Sequence, residues 1–122
     1  MKPEARTQKS VLKWLHLQHP KIWEHVVKID NEGKRSVAGH AIAISLGLHV
    51  GASDLLIAWP TSKYAGLWLE VKPDGWKPYH TKKERLIAQK NFINKMKDVG
   101  YHGDIGVGFE GCLEIINNYL NT

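Results

Sequence analysis

Three residues carry the chemistry this sequence offers. In the segment GLWLEVK at positions 66–72, an acid and a lysine stand two residues apart among apolar neighbours. Strand side chains alternate faces. Trp68, Glu70 and Lys72 therefore share one face, and Leu67, Leu69 and Val71 form a core face on the other. In SDLLIAW, Asp54 opens the preceding apolar run, six residues before Pro60, while Glu70 lies four residues after Gly66. A hairpin through residues 60–66 brings the two acids together. Paired carboxylates repel when partly buried, and a divalent cation relieves that repulsion. Mg²⁺ or Mn²⁺ suits such a site. Mg²⁺ takes one or two carboxylates and fills its remaining positions with water and phosphate oxygens, and the backbone carbonyl of Val71 is a further candidate ligand. Lys72 can hold an attacking water or offset the charge growing on a pentacoordinate phosphate. These are the parts of metal-assisted phosphodiester hydrolysis. Each residue alone has an ordinary explanation, E-x-K as a solvated strand pair and Asp54 as a strand-start residue. The chemistry rests on the combination.

Two helices must hold that combination. A helical pattern starts near Pro3, a residue suited to a first turn, and runs to residue 19, where Pro20 stops it. Its apolar stripe is Val11, Leu12 and Leu15, and continuing it backwards reaches Gln8 and Glu4. A second, longer helix spans residues 81–99, with Thr81 as its candidate cap and Gly100 as its end. Its stripe of Leu86, Ile93 and Met96 includes Gln89. A buried glutamine must be satisfied, either by lining a polar site or by bonding a backbone carbonyl. The same alternatives apply to Glu4 and Gln8. Three polar residues on apolar stripes of two helices fit a shared polar site beside the sheet.

The remaining elements follow from period and punctuation. Residues 23–29 read as a strand and 30–33 as a turn. A short helix capped by Ser36 runs to residue 45 or 46 and stops at Gly47, with Val37, Ala41 and Ile44 on one face. Strands at 53–59 and 67–72 follow, then a loop at 73–80, a glycine-rich strand at 104–109 and a helix at 110–120. The order αβαββαβα indicates an α/β fold, a mixed sheet flanked by helices.

Bulk properties narrow the partners. The 122 residues fit one domain over 1–122. The 17 Lys and Arg against 12 Asp and Glu give +5, a balance that favours polyanions. With one cysteine, Cys112, neither an internal disulfide nor a cysteine-based zinc site is expected, and the thiol reads as a small core group. No apolar run is long enough to span a membrane, and the expectation is an intracellular, cytoplasmic protein. The absence of a P-loop argues against a nucleotide cofactor, and the seven histidines include no H-E-x-x-H pair. Candidate DNA contacts are Trp76, Lys77, Lys82, Lys83 and Arg85 around the start of the long helix, with Lys34 and Arg35 as a second group. A solvated loop and helix face is the alternative for the first group, and a structural role the alternative for Arg35.

The ordered set of Glu4 and Gln8, N-E-G-x-R at Asn31 to Arg35, G-A-S-D at Gly51 to Asp54, E-V-K at Glu70 to Lys72, and Gln89 before Phe92 resembles the VRR-NUC branch of the PD-(D/E)XK nucleases. The likeness covers nearly the whole chain, and the spacing through Gly100-Tyr101 resembles the stand-alone members of phages and bacteria. It implies a restriction-endonuclease-like αβββαβ core and Mg²⁺- or Mn²⁺-dependent DNA cleavage. By the resemblance Asp54 and Glu70 bind metal, Lys72 is catalytic, and Glu4 and Gln89 border the site. It further implies a homodimer acting on branched DNA, as Holliday-junction resolvases do. The alternatives are a flap or nicking nuclease and a catalytically silent DNA-binding module of the same fold. Ser53 departs from the pattern, which often has proline before the aspartate.

Overall fold

A computed structural model describes residues 1–30 and 36–122. Helix α1 (Pro3–Gln18) buries Val11 and Leu15, the stripe expected from its period. Pro20 does not merely end it. Proline is preorganised for a first helical position, and Pro20 opens a one-turn helix, α2 (Pro20–Trp23), which seats Ile22 in the core. The first strand is correspondingly shorter than its β-branched run suggests: β1 is Val26–Lys28, and Trp23 is helical. The expected turn at residues 30–33 lies, from residue 31 on, outside the described residues, as do Lys34, Arg35 and the N-E-G-x-R motif.

Helix α3 (Val37–Ser45) starts where Ser36 Oγ accepts the Gly39 N–H at 3.0 Å, and the chain turns at Gly47 with φ +106°. Strands β2 (Leu55–Ile57) and β3 (Leu67–Lys72) follow. Next come a 3-10 turn (Pro78–His80), α4 (Lys83–Asp98), β4 (His102–Val107) and α5 (Gly108–Leu120). Thr81 does not cap α4. Its hydroxyl accepts the Trp76 indole N–H at 2.9 Å, and Lys82 takes the cap position without a side-chain bond. The strand-to-helix switch falls at Gly108, where φ is +72°, so β4 ends and α5 begins earlier than expected.

The sheet order is β1-β2-β3-β4, antiparallel except for the parallel β3–β4 pair. The β2–β3 register sets Leu55 against Leu69 and Ile57 against Leu67. These four, with Val71, are fully buried and pack with Val11 and Leu15 of α1 and with Cys112, Ile116 and Tyr119 of α5. One sheet face is therefore the main core. The other carries Trp68, which meets Phe92 of α4 edge-on at 5.0 Å between ring centroids. The outcome is the mixed, helix-flanked α/β sheet read from the sequence.

Candidate functional site

The strand register assembles the acids. One step beyond the Leu55–Leu69 pair, Asp54 stands across from Glu70 on the face opposite the core. Asp54 is 6 % exposed and Glu70 2 %. Asp54 Oδ2 accepts the backbone N–H of Val71 at 2.7 Å, and the Asp54 carbonyl accepts the N–H of Ile29 at 2.9 Å. This aspartate is thus pinned to both neighbouring strands. Glu4, half-buried in the first turn of α1, completes the group. One carboxylate oxygen from each of Glu4, Asp54 and Glu70 lies within 4.8 Å of the others.

Three acids this close cannot all be charged at low cost. Burial, above all, pushes Glu70 up to about 10. The hydrogen bond and the charge of Asp54 add to the rise, Lys72 opposes it, and Glu4 contributes a little more. Glu70 therefore holds a proton near neutral pH, which is the position a divalent cation would take. Hard oxygen donors converging on one point fit Mg²⁺ or Mn²⁺.

Lys72 and Gln89 form the second half of the site. Lys72 is 4 % exposed and Gln89 3 %. Lys72 Nζ donates to Gln89 Oε1 at 3.0 Å and lies 5.3 Å from the centroid of the Trp76 ring. The glutamine on the apolar stripe of α4 therefore lines the site and does not serve a backbone carbonyl. Gly51 makes its position possible. With φ +86°, Gly51 lies so close to α4 that a Cβ would overlap the Ala88 carbonyl and come within 2.8 Å of the Gln89 backbone nitrogen. Two residues on, Ser53 is fully buried and its hydroxyl has no hydrogen-bond partner among the described residues.

The site opens into a cleft of about 970 Å³ whose lining includes Glu4, Gln8, Asp54, Glu70 and Gln89. Of the candidate DNA contacts on the loop and long helix, Arg85 lines this cleft. Lys77, Lys82 and Lys83 are exposed elsewhere, and Trp76 is half-buried as the platform for Lys72. The sequence reading missed Lys2, Lys9, Lys13 and Lys28, which line the same cleft. Of these, Lys9 and Lys13 lie on α1, and Lys28 ends β1. Cys112 is a core residue, its thiol pushed up to about 12 by burial.

Neither a family model nor a curated protein matches the chain. Among solved structures, one described as a VRR_NUC domain protein superposes with a TM-score of 0.78 at 24% sequence identity, covering 99% of this chain and 90% of that one. The chain accordingly has the fold of a VRR-NUC domain.

Proposed function

We propose that the protein is a metal-dependent endonuclease that hydrolyses DNA phosphodiester bonds. The observation that carries this reading is the convergence of Glu4, Asp54 and Glu70 beside a buried, held Lys72. The fold supports it, since the structural neighbour's description names a nuclease domain. Glu4, Asp54 and Glu70 would hold Mg²⁺ or Mn²⁺, with the Val71 carbonyl as an additional ligand. Such an ion, when bound, supplies Lewis-acid polarisation of the phosphate and lowers the pKa of a bound water.

The chain's own groups do the rest. The Val71 N–H occupies Asp54 Oδ2 and fixes the carboxylate plane, so that Asp54 Oδ1 is presented in one orientation. Gln89 takes one of the three Lys72 ammonium donors. The other two orient a water or meet a non-bridging phosphate oxygen. Attack by the water oxygen on phosphorus breaks the bond to the departing nucleotide oxygen; the water gives up one proton to solvent and the departing oxygen takes one up from solvent, leaving a phosphate monoester and a free hydroxyl. Lys72 faces the charge that builds up on the phosphate during this step.

Cleavage of labelled duplex, flap and four-way-junction DNA tests the proposal. The parent is expected to cut at least one substrate with Mg²⁺ or Mn²⁺ and none in chelator. Lys72→Ala should lower the rate by about 100-fold or more, in line with the loss of a transition-state donor. Metal-dependent cutting absent from all three substrates, or retained at the parent's rate by Lys72→Ala, overturns the reading.

The finer proposal is a homodimer that cuts four-way junctions, because two symmetric incisions call for two equivalent sites. Helix α3 supports a self-association surface. It has no buried residue, and Val37, Ile42 and Leu46 are 91%, 60% and 82% exposed. Ile44 and Val50, 46% and 59% exposed, add to this group of exposed aliphatic side chains.

A further inference from the structure

The geometry points to helix α1 as the rail along which the DNA strand runs, with Lys9 and Lys13 each taking a phosphate at a fixed distance from the scissile one. The inference rests on the nuclease reading and extends it to a substrate path. Lys2, Lys9 and Lys13 all line the cleft that holds the acid cluster. At 3.6 residues per turn, Lys9 and Lys13 fall within about 40° of each other and roughly 140–180° around the helix from Glu4, and Lys2 is the residue that caps the helix start. Glu4 stands in the first turn of the same helix, so α1 carries one member of the acid cluster and the cations on one scale.

That scale gives distances. With about 1.5 Å of rise per residue, Lys9 and Lys13 lie roughly 7.5 and 13.5 Å beyond Glu4 along the helix axis. One strand of duplex DNA advances about 3.4 Å per nucleotide. With the duplex axis parallel to α1 and the scissile phosphate at the acids, Lys9 is level with the phosphate about two nucleotides away and Lys13 with the one about four away. The cleft lining also includes Lys28 of β1 and Arg85 of α4. The acids in this lining are buried or half-buried, and Lys2, Lys9, Lys13, Lys28 and Arg85 are exposed. Such a cleft repels phosphate at its centre until a divalent cation neutralises it, and attracts the flanking phosphates throughout.

Binding without divalent metal tests this independently of cleavage. A labelled duplex and a four-way junction are titrated in chelator across a range of salt, and the salt slope is read on whichever binds tighter. Lys9→Ala/Lys13→Ala should weaken binding about 10-fold and reduce the slope by nearly two, about 0.9 for each lost phosphate contact. Lys90→Ala/Lys95→Ala, on exposed positions of α4 outside the cleft lining, should leave the slope unchanged. With metal, a neutral methylphosphonate two nucleotides to one side of the cut should slow the parent but not Lys9→Ala. Equal slopes for the two double variants, or no DNA binding by the parent, overturn the rail. If the slope falls as expected but no DNA is ever cut, the rail stands and the nuclease reading fails.

Discussion

Glu70 sets the behaviour of the site before any substrate arrives. Its ordinary value is 4.5, and in the folded chain it is raised to about 10, first by burial and then by Asp54. Between these two values the folded state keeps a proton that the unfolded state has released. The resulting stability is complete below pH 4.5 and is lost as pH rises toward 10. Metal-free protein should therefore lose stability by about 1.4 kcal/mol per pH unit across the neutral and mildly alkaline range, the value for one linked proton. Glu70→Gln keeps the shape and removes the titration. Thermal unfolding followed from pH 6 to 9 should show a flatter slope in the variant and, at pH 8, a midpoint several degrees higher than the parent's. Mg²⁺ should raise the parent's midpoint and leave the variant's nearly unmoved. An identical pH slope in both proteins would assign the proton elsewhere.

Between elements, the decisive contact is the close approach of the segment before β2 to α4. Gly51 and Gly47 both have positive φ, but a Cβ at Gly47 meets nothing within 4 Å, whereas one at Gly51 overlaps the Ala88 backbone. Gly47→Ala should cost about 1 kcal/mol of backbone strain. Gly51→Ala should cost about 2 kcal/mol more in denaturant unfolding, because α4 must also move. It should also reduce cleavage beyond the loss of folded protein, since Gln89 and with it Lys72 are displaced. Equal costs at the two glycines would show that α4 gives way freely.

The same contact marks how far the sequence could be read. Period-two alternation placed Glu70 and Lys72 on one face, and the loop length brought Asp54 opposite. Helical stripes turned Glu4 and Gln89 inward. All of these are local periodicities that burial enforces. What escaped depends on packing and side-chain contacts that no periodicity encodes. Thr81 is drawn from its cap position by the Trp76 indole, Pro20 restarts a helix because Ile22 has a core to enter, and the α1 lysines gain meaning only when the cleft beside them exists. The α3 stripe of Val37, Ala41 and Ile44 was legible as apolar, yet among the described residues no element buries it.

At the scale of the whole molecule, that uncovered helix and the charge of +5 make opposite demands on salt. A helix of nine residues is too short to persist in water without packing, and its exposed aliphatic side chains need a cover of the same kind. On the dimer proposal, a second copy would offer the identical patch about a two-fold axis in an isologous interface. Two protomers of equal charge repel, so added salt should favour the apolar association. The same salt should weaken DNA binding by displacing the lysines from phosphates. Sedimentation velocity at micromolar concentration should find a dimer whose dissociation constant falls or holds as salt rises. Ile42→Glu/Leu46→Glu should give a monomer that keeps the acid cluster and loses symmetric incision of four-way junctions while retaining single-strand nicking. A parent that sediments as a monomer at every concentration and salt, or a double variant that remains dimeric, would remove α3 from the interface.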